Sequence, residues 1–205
     1  MGDRAPGPLG DRPERWPVVG STDLYRDDWV MALRRDRLHL PGADPDDSFD
    51  RLVFEHPGAV VVLAVDADDR VLCLQQYRHA VGIAFVELPA GLLDVDGEEP
   101  LEVARRELRE EAGLAAEDWT HLASTYPSPG VTTEIQHLFL ARGLSEAGRG
   151  DFELVHEEAE MTLFWAPYGE LYAAALDGRV ADGPVVQALL LARALDLLPT
   201  PRDAH

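Results

Sequence analysis

The distribution of apolar residues predicts an α/β or α+β sandwich rather than a parallel doubly wound sheet, and three observations carry that reading. Residues 59–65, Ala-Val-Val-Val-Leu-Ala-Val, are apolar without alternation, the pattern of a strand covered on both faces. Leu101, Ala104, Leu108 and Ala112 recur at intervals of three and four, which draws one apolar stripe along a helix and turns it to the core. Residues 185–198 form a second, strongly apolar helical stretch that seals the core from its other side. Strands interleaved with two substantial helices make an α/β or α+β sandwich.

The remaining elements follow in order. Residues 1–20 are rich in Pro, Gly and charge and read as a flexible lead. Residues 21–57 hold short strand patterns, 29–34 and 37–40, around the acidic turn 41–47, and read as a small N-terminal sheet. Residues 58–205 form the main domain. In it, the turn Asp66-Ala-Asp-Asp-Arg70 leads into the strand 71–78, and a strand around 85–88 runs into Pro89-Ala90-Gly91 and the first helix. Gly113 lets the chain leave that helix in a left-handed conformation. Apolar segments follow at 119–125, 134–140 and 162–166. A chain of 205 residues with 46% hydrophobic content can bury one sizeable core.

Composition excludes several functions. A formal net charge of −20 argues against a nucleic-acid partner, since phosphate backbones are held by clustered cations. All 18 basic residues are arginine, so a phosphorylated substrate would need divalent cations and a few placed guanidinium groups to reverse the local sign. No apolar run reaches the roughly 20 residues that span a bilayer, and the N-terminus has no signal-peptide core. The expectation is a cytoplasmic protein with no membrane partner. Cys73 lies in an apolar strand pattern and reads as a buried, inert thiol.

The chemistry concentrates between Gly91 and Leu114. Glu98, Glu107, Glu110 and Glu111 surround one short helix. At about 100° per residue, Glu107 and Glu111 fall one turn apart beside the apolar stripe, with Glu110 next to them toward solvent. Like charges at these spacings cost a bare helix a few tenths of a kcal/mol per pair. A divalent metal would compensate, and Arg106, four residues before Glu110, offsets part of the repulsion. A Glu pair alone is more often a solvated helix face. The whole pattern, Gly91, Glu98 and Arg106-Glu107-Leu108-Arg109-Glu110-Glu111-Ala112-Gly113-Leu114, is far more restrictive and resembles the Nudix box. It departs at one place: six residues separate Gly91 from Glu98 where the family pattern has five, which leaves the role of Glu98 open.

The resemblance implies a Nudix-type α/β/α sandwich with a mixed sheet. It also implies hydrolysis of a nucleoside diphosphate linked to another group. Gln76-Tyr77-Arg78, then Glu87-Leu-Pro-Ala-Gly91, and Ser128-Pro129-Gly130 with Glu134 four residues on, are similar to the ADP-ribose pyrophosphatases of that family. Read without the resemblance, Ser-Pro-Gly is a common turn and Arg78 a surface arginine at a strand end. Within this subfamily the implied roles are specific. Glu107, Glu111 and the Ala90 carbonyl would hold Mg²⁺ or Mn²⁺, two or more ions, with Glu110 sharing in the catalytic cluster. Arg78, whose guanidinium fork suits a diphosphate, would bind substrate with Leu92, Ser128, Gly130 and Glu134. A glutamate of the acidic run 157–160 would act on the attacking water, Glu158 first and Glu157 as the alternative; as a bare charge run it is a solvated loop. Trp29 would stack on adenine and Arg51 reach the ligand, from the partner subunit of a homodimer, although Trp29 also suits a core or interface anchor.

The function implied is metal-dependent hydrolysis of ADP-ribose to AMP and ribose 5-phosphate. Competing readings are a Nudix pyrophosphatase for another nucleoside diphosphate sugar or a dinucleotide, and a non-catalytic module that binds ADP-ribose. The intact glutamates argue against the module. A serine or cysteine hydrolase is poorly supported, because no Gly-x-Ser-x-Gly elbow occurs. His79, His137 and His156 lack metal-ligand spacing.

Overall fold

In a computed structural model, residues 9–149 and 161–199 are described, and the chain divides after Glu55 into two compact units. The first is a three-stranded antiparallel sheet, β1 (Val18–Arg26), β2 (Ala32–Leu38) and β3 (Phe49–Glu55), in that spatial order. Its second strand starts later than the apolar pattern at 29–34 suggests. The Asp27 carboxylate accepts the Trp29 backbone N–H at 2.9 Å and the Tyr25 hydroxyl at 2.7 Å, so residues 27–30 form the connection and Trp29 stands exposed in it. One face of the sheet is polar. Ser21 donates to Asp36 at 2.6 Å, Arg34 donates to Asp36 at 3.0 Å, and Glu55 pairs with both Arg26 and Arg34. On the other face the register sets Tyr25, Leu33 and Phe54 in one row, with Tyr25, Leu52 and Phe54 exposed.

The second unit begins at His56. Its four-stranded sheet is built from β4 (Ala59–Ala64), β7 (Ala90–Leu92), β8 (Leu114–Thr125) and β9 (Gln136–Glu146), in the order β7-β4-β9-β8. β4 and β9 run parallel and the other neighbours antiparallel, so the sheet is mixed. A second, three-stranded sheet orders β10 (Thr162–Pro167), β5 (Arg70–Arg78) and β6 (Ile83–Glu87) as β10-β5-β6. Helix α1 (Pro100–Ala112) covers one face of the mixed sheet, and α2 (Tyr168–Leu176) with α3 (Gly183–Ala194) covers the other.

The unbroken apolar run at 59–65 has its physical reason here. Val60, Val62 and Ala64 pack with Val103, Ala104 and Leu108 of α1, while Val61, Leu63 and Val65 pack with Val185, Ala188, Leu189 and Ala192 of α3. Alternate side chains of this run thus enter two separate cores, the α/β/α layering that the resemblance implies. The stripe on α1 faces the core as its spacing requires, and Gly113 ends the helix at φ 69° with its N–H on the Arg109 and Leu108 carbonyls.

Two elements differ from the sequence reading. Helix α2 has no side-chain cap at Pro167, so nothing in the sequence announces its start; it follows β10 without a loop. Helix α3 begins at an Asp182 cap, whose carboxylate accepts the Val185 N–H at 3.0 Å, and it ends at Ala194 rather than at 198. Asp196 takes φ 54° and the Leu197 N–H returns to the Ala192 carbonyl at 2.9 Å. That turn folds Leu198 back into the core at 3% exposure. Among the described residues, no helix is long and apolar enough to cross a membrane.

Candidate active site

The site is assembled where β7 runs beneath α1. Pairing with β4 fixes Ala90 opposite Val61 and Gly91 opposite Val60, which holds this short strand under the helix face carrying Glu107 and Glu111. The fit at Gly91 is tight: a Cβ there would stand 2.0 Å from Glu107 Cδ and 2.1 Å from its Oε1, so the Glu107 carboxylate would have to move. The box glycine therefore exists to let a carboxylate lie against the backbone. One turn later, Glu111 Oε2 accepts the Ala90 N–H at 3.1 Å. Both glutamates are buried, an arrangement that costs free energy unless the charges are met by donors or cations.

Arg106 supplies part of that compensation. Its Nη1 donates to Glu107 at 2.8 Å and to Glu110 at 3.2 Å, and its Nη2 donates to Glu98 at 3.4 Å, with Asp94 at 3.7 Å. Burial works against the guanidinium charge, but Glu107, Glu98 and Glu110 outweigh it and raise the Arg106 pKa. Ahead of Glu98, the longer loop closes in a turn at 95–98. There the Glu98 N–H meets the Val95 carbonyl at 3.2 Å and Gly97 takes φ 79°, a backbone hand suited to glycine. The longer loop still delivers Glu98 to the cluster.

Arg78, at the end of β5, is held by Glu87 on β6 through a fork: Nε donates to Oε1 at 2.8 Å and Nη2 to Oε2 at 2.5 Å. Glu87 is buried and Arg78 half exposed. One edge of the guanidinium is thus used for orientation, and a planar fork has a second edge to present to a diphosphate. The hydrogen bonds to Glu87 raise the Arg78 pKa against the effect of burial, and the charges of Asp182 and Glu111 add to them. Arg78 therefore stands within electrostatic reach of the carboxylate helix. The pairing of Glu87 with Arg78 is what sequence reading missed: the β5–β6 register sets Glu87 opposite Leu74 and Arg78 opposite Ile83, and the ion pair is made by the side chains diagonally across the ladder.

Asp182 lies in the same field. Burial pushes its carboxyl up to about 6, with Glu87 adding to the rise and Arg78 and the Val185 N–H opposing it. A carboxyl whose pKa is higher folded than unfolded stabilises the protein at low pH and loses that contribution as pH rises from about 4 through about 6. Asp182→Asn, which keeps the cap, is expected to remove this decline. The difference in thermal midpoint between the two proteins, measured from pH 4 to pH 7, checks it; parallel curves would refute the assignment.

The other predicted residues fall in separate places. Leu92 closes β7 opposite Ala59. Ser128 and Gly130 lie in the exposed β8–β9 connection, where the Ser128 carbonyl accepts the N–H groups of Val131 and Thr132, both at 3.1 Å. Glu134 accepts Gln136 Nε2 at 2.7 Å. In the N-terminal unit, Arg51 projects from β3 with its guanidinium carbon 4.5 Å from the Phe49 ring centroid. Glu157 and Glu158 lie outside the described residues. The structure thus brings together Ala90, Glu107, Glu110 and Glu111.

Among the described residues, no three Asp, Glu, His or Cys side chains already converge as an ion cage. The donor set nevertheless suits a divalent cation. Glu98, Glu107 and Glu110 meet a single guanidinium, Glu111 lies one turn on, and all four offer hard oxygen ligands of the type Mg²⁺ and Mn²⁺ take.

A helix of clustered glutamates packed on a glycine-bearing strand, inside an α/β/α sandwich, defines a class, and the comparison with known families agrees. The NUDIX domain model matches residues 55–189, and the chain belongs to that family. Within it, the chain is 42% identical over 166 residues to an ADP-ribose pyrophosphatase of Mycobacterium tuberculosis, covering 81% of this chain and 78% of that protein. An ADP-ribose pyrophosphatase of Bacillus subtilis is 45% identical over 116 residues, 57% of this chain and 60% of the relative. A crystal structure of an ADP compounds hydrolase shares the fold with a TM-score of 0.71 at 20% identity, covering 91% of this chain and 96% of that one.

Proposed function

We propose that this protein hydrolyses the pyrophosphate of ADP-ribose to AMP and ribose 5-phosphate with divalent metal. The observation that carries the reading is the pair of buried glutamates, Glu107 and Glu111, seated on the β7 backbone, with Arg78 in electrostatic reach of Glu111. Its resemblance in sequence to ADP-ribose pyrophosphatases supports the choice of substrate.

In this reading Glu107, Glu111 and the Ala90 carbonyl hold Mg²⁺ or Mn²⁺, two or more ions, and Glu110 shares in the cluster. Bound metal lowers the pKa of water and neutralises charge on the phosphate under attack. The chain's own groups do the rest. Arg78, oriented by Glu87, turns its outer edge to the diphosphate. Leu92, Ser128, Gly130 and Glu134 border the substrate. Glu158, with Glu157 as the alternative, takes the proton of the attacking water. Water adds to one phosphorus and the bridging P–O bond breaks, leaving one phosphate on each product.

The N-terminal sheet supports a homodimer. Its row of Tyr25, Leu33 and Phe54 is an apolar face with exposed members that a second copy would cover; in such a dimer Trp29, and Arg51 on the sheet's other face opposite Asp36, would reach the partner's substrate. A fully active monomer in light scattering would remove that assignment.

Glu158→Gln is expected to lower kcat by about 100-fold, the scale of a lost general base, while ADP-ribose binding in calorimetry stays near wild type; a larger loss from Glu157→Gln would shift the role by one residue. The substrate assignment is tested by product analysis with ADP-ribose, ADP-glucose, NADH and diadenosine polyphosphates in Mg²⁺. Preferred release of AMP from ADP-ribose supports it. A higher kcat/KM on another member of the panel, or saturable ADP-ribose binding without turnover, overturns it.

A further inference from the structure

We infer that Arg149 is a positioning residue for the metal ligand Glu111, acting through the C-terminal end of α1; this rests on the reading of Glu111 as a ligand. The last carbonyls of a helix have no partner within it. Here one of them is met from outside: Arg149 Nη2 donates to the Glu111 carbonyl at 2.7 Å. The contact belongs to a clasp. The Ala147 and Gly148 N–H groups both reach the Gly113 carbonyl, at 2.9 and 3.2 Å, and Arg109 Nε donates to the Gly148 carbonyl at 3.1 Å. The stem of Arg149 passes over Gly113, where an added Cβ would lie 3.6 Å from Arg149 Cγ. The segment just after β9 therefore grips the helix at the residue whose side chain meets β7. Glu111 is fixed at both ends, its carboxylate by the Ala90 N–H and its carbonyl by Arg149.

The clasp has no counterpart in the box itself, because nothing in the spacing from Gly91 to Leu114 refers to residue 149. The geometry makes a claim opposite in sign to simple electrostatics. A cation near the glutamate cluster repels divalent metal, so removing only its charge would tighten metal binding. If Arg149 instead holds the last turn of α1, its removal frays that turn, Glu111 loses its place over Ala90, and metal binding weakens.

Mn²⁺ binding, followed by calorimetry and by the loss of the free Mn²⁺ paramagnetic resonance signal, separates the two in the full-length protein. Arg149→Ala is expected to raise the Mn²⁺ dissociation constant about tenfold, within the range for lost outer-shell partners. Arg149→Gln, neutral but still a donor, is expected to recover most of that affinity. An unchanged or tighter constant for Arg149→Ala overturns the inference, as does equal weakening by both substitutions. Glu111→Gln in the same titration keeps the underlying reading separate: unaltered Mn²⁺ binding there would remove Glu111 as a ligand, whatever Arg149 does. Thermal midpoints of the variants identify any that fail to fold, and Arg149→Lys then takes the place of the alanine variant, with intermediate weakening expected and wild-type affinity overturning the inference.

Discussion

Glutamine at position 111 is expected to reduce Mg²⁺-dependent hydrolysis by more than about 100-fold, beyond the upper end of what loss of an outer-shell partner costs, with the fold intact. The change keeps the volume and an oxygen that can still accept the Ala90 N–H, which the native carboxylate receives at 3.1 Å. It removes the charge that would make the group a ligand for a hard cation. It also relieves repulsion from Glu107, four residues away on the same helix, a few tenths of a kcal/mol, so the thermal midpoint should hold or rise. Activity lost without stability is the signature of a functional carboxylate. Turnover within a few-fold of wild type would sink the metal assignment.

Alanine at Gly91 is expected to do comparable damage by steric means. The added Cβ would stand 2.0 Å from the Glu107 carboxyl carbon, so either Glu107 swings away or β7 shifts. The first outcome displaces the proposed metal ligand and loosens its contact with Arg106, which is 2.8 Å in the native protein. The second strains the pairing of Gly91 with Val60. Because the clash is with the end of a flexible side chain, the first outcome dominates: a carboxylate misplaced by an ångström can cost about 100-fold in rate, with a raised Mg²⁺ concentration for half-maximal activity, whereas a shift of β7 would instead cost about 1–3 kcal/mol of stability. A Gly91→Ala protein with native metal dependence would show that the close approach has no functional purpose.

These two variants probe different kinds of information. Glu111 is legible in the sequence because ligand type and helical spacing are local: a carboxylate four residues after another shares its face whatever the rest of the chain does. Gly91 is legible only as part of a pattern. The reason it must be glycine is the carboxylate of a residue sixteen positions later, and that proximity exists only once β7 has paired with β4 and α1 has packed across the sheet. Arg78 shows the same division. Its suitability for a diphosphate follows from guanidinium chemistry, whereas its orientation depends on Glu87, which its side chain reaches diagonally across the β5–β6 ladder.

The sequence alone determined the layering of the catalytic unit, through a strand apolar on every residue and a helix apolar on one stripe, because burial periodicity is a property of each element by itself. It pointed to the family through the glycine and glutamate pattern from Gly91 to Leu114, and to the carboxylate helix through the apolar spacing from Leu101 to Ala112. Tertiary structure decided what the charges meet: Arg106 among Glu98, Glu107 and Glu110, Glu87 on Arg78, and Arg149 on the end of α1. It also decided where α3 stops, since the left-handed turn at Asp196 folds Leu198 into the core. Charge pairing acts over a few ångströms between residues distant in the chain, so it becomes readable only after the layers have closed.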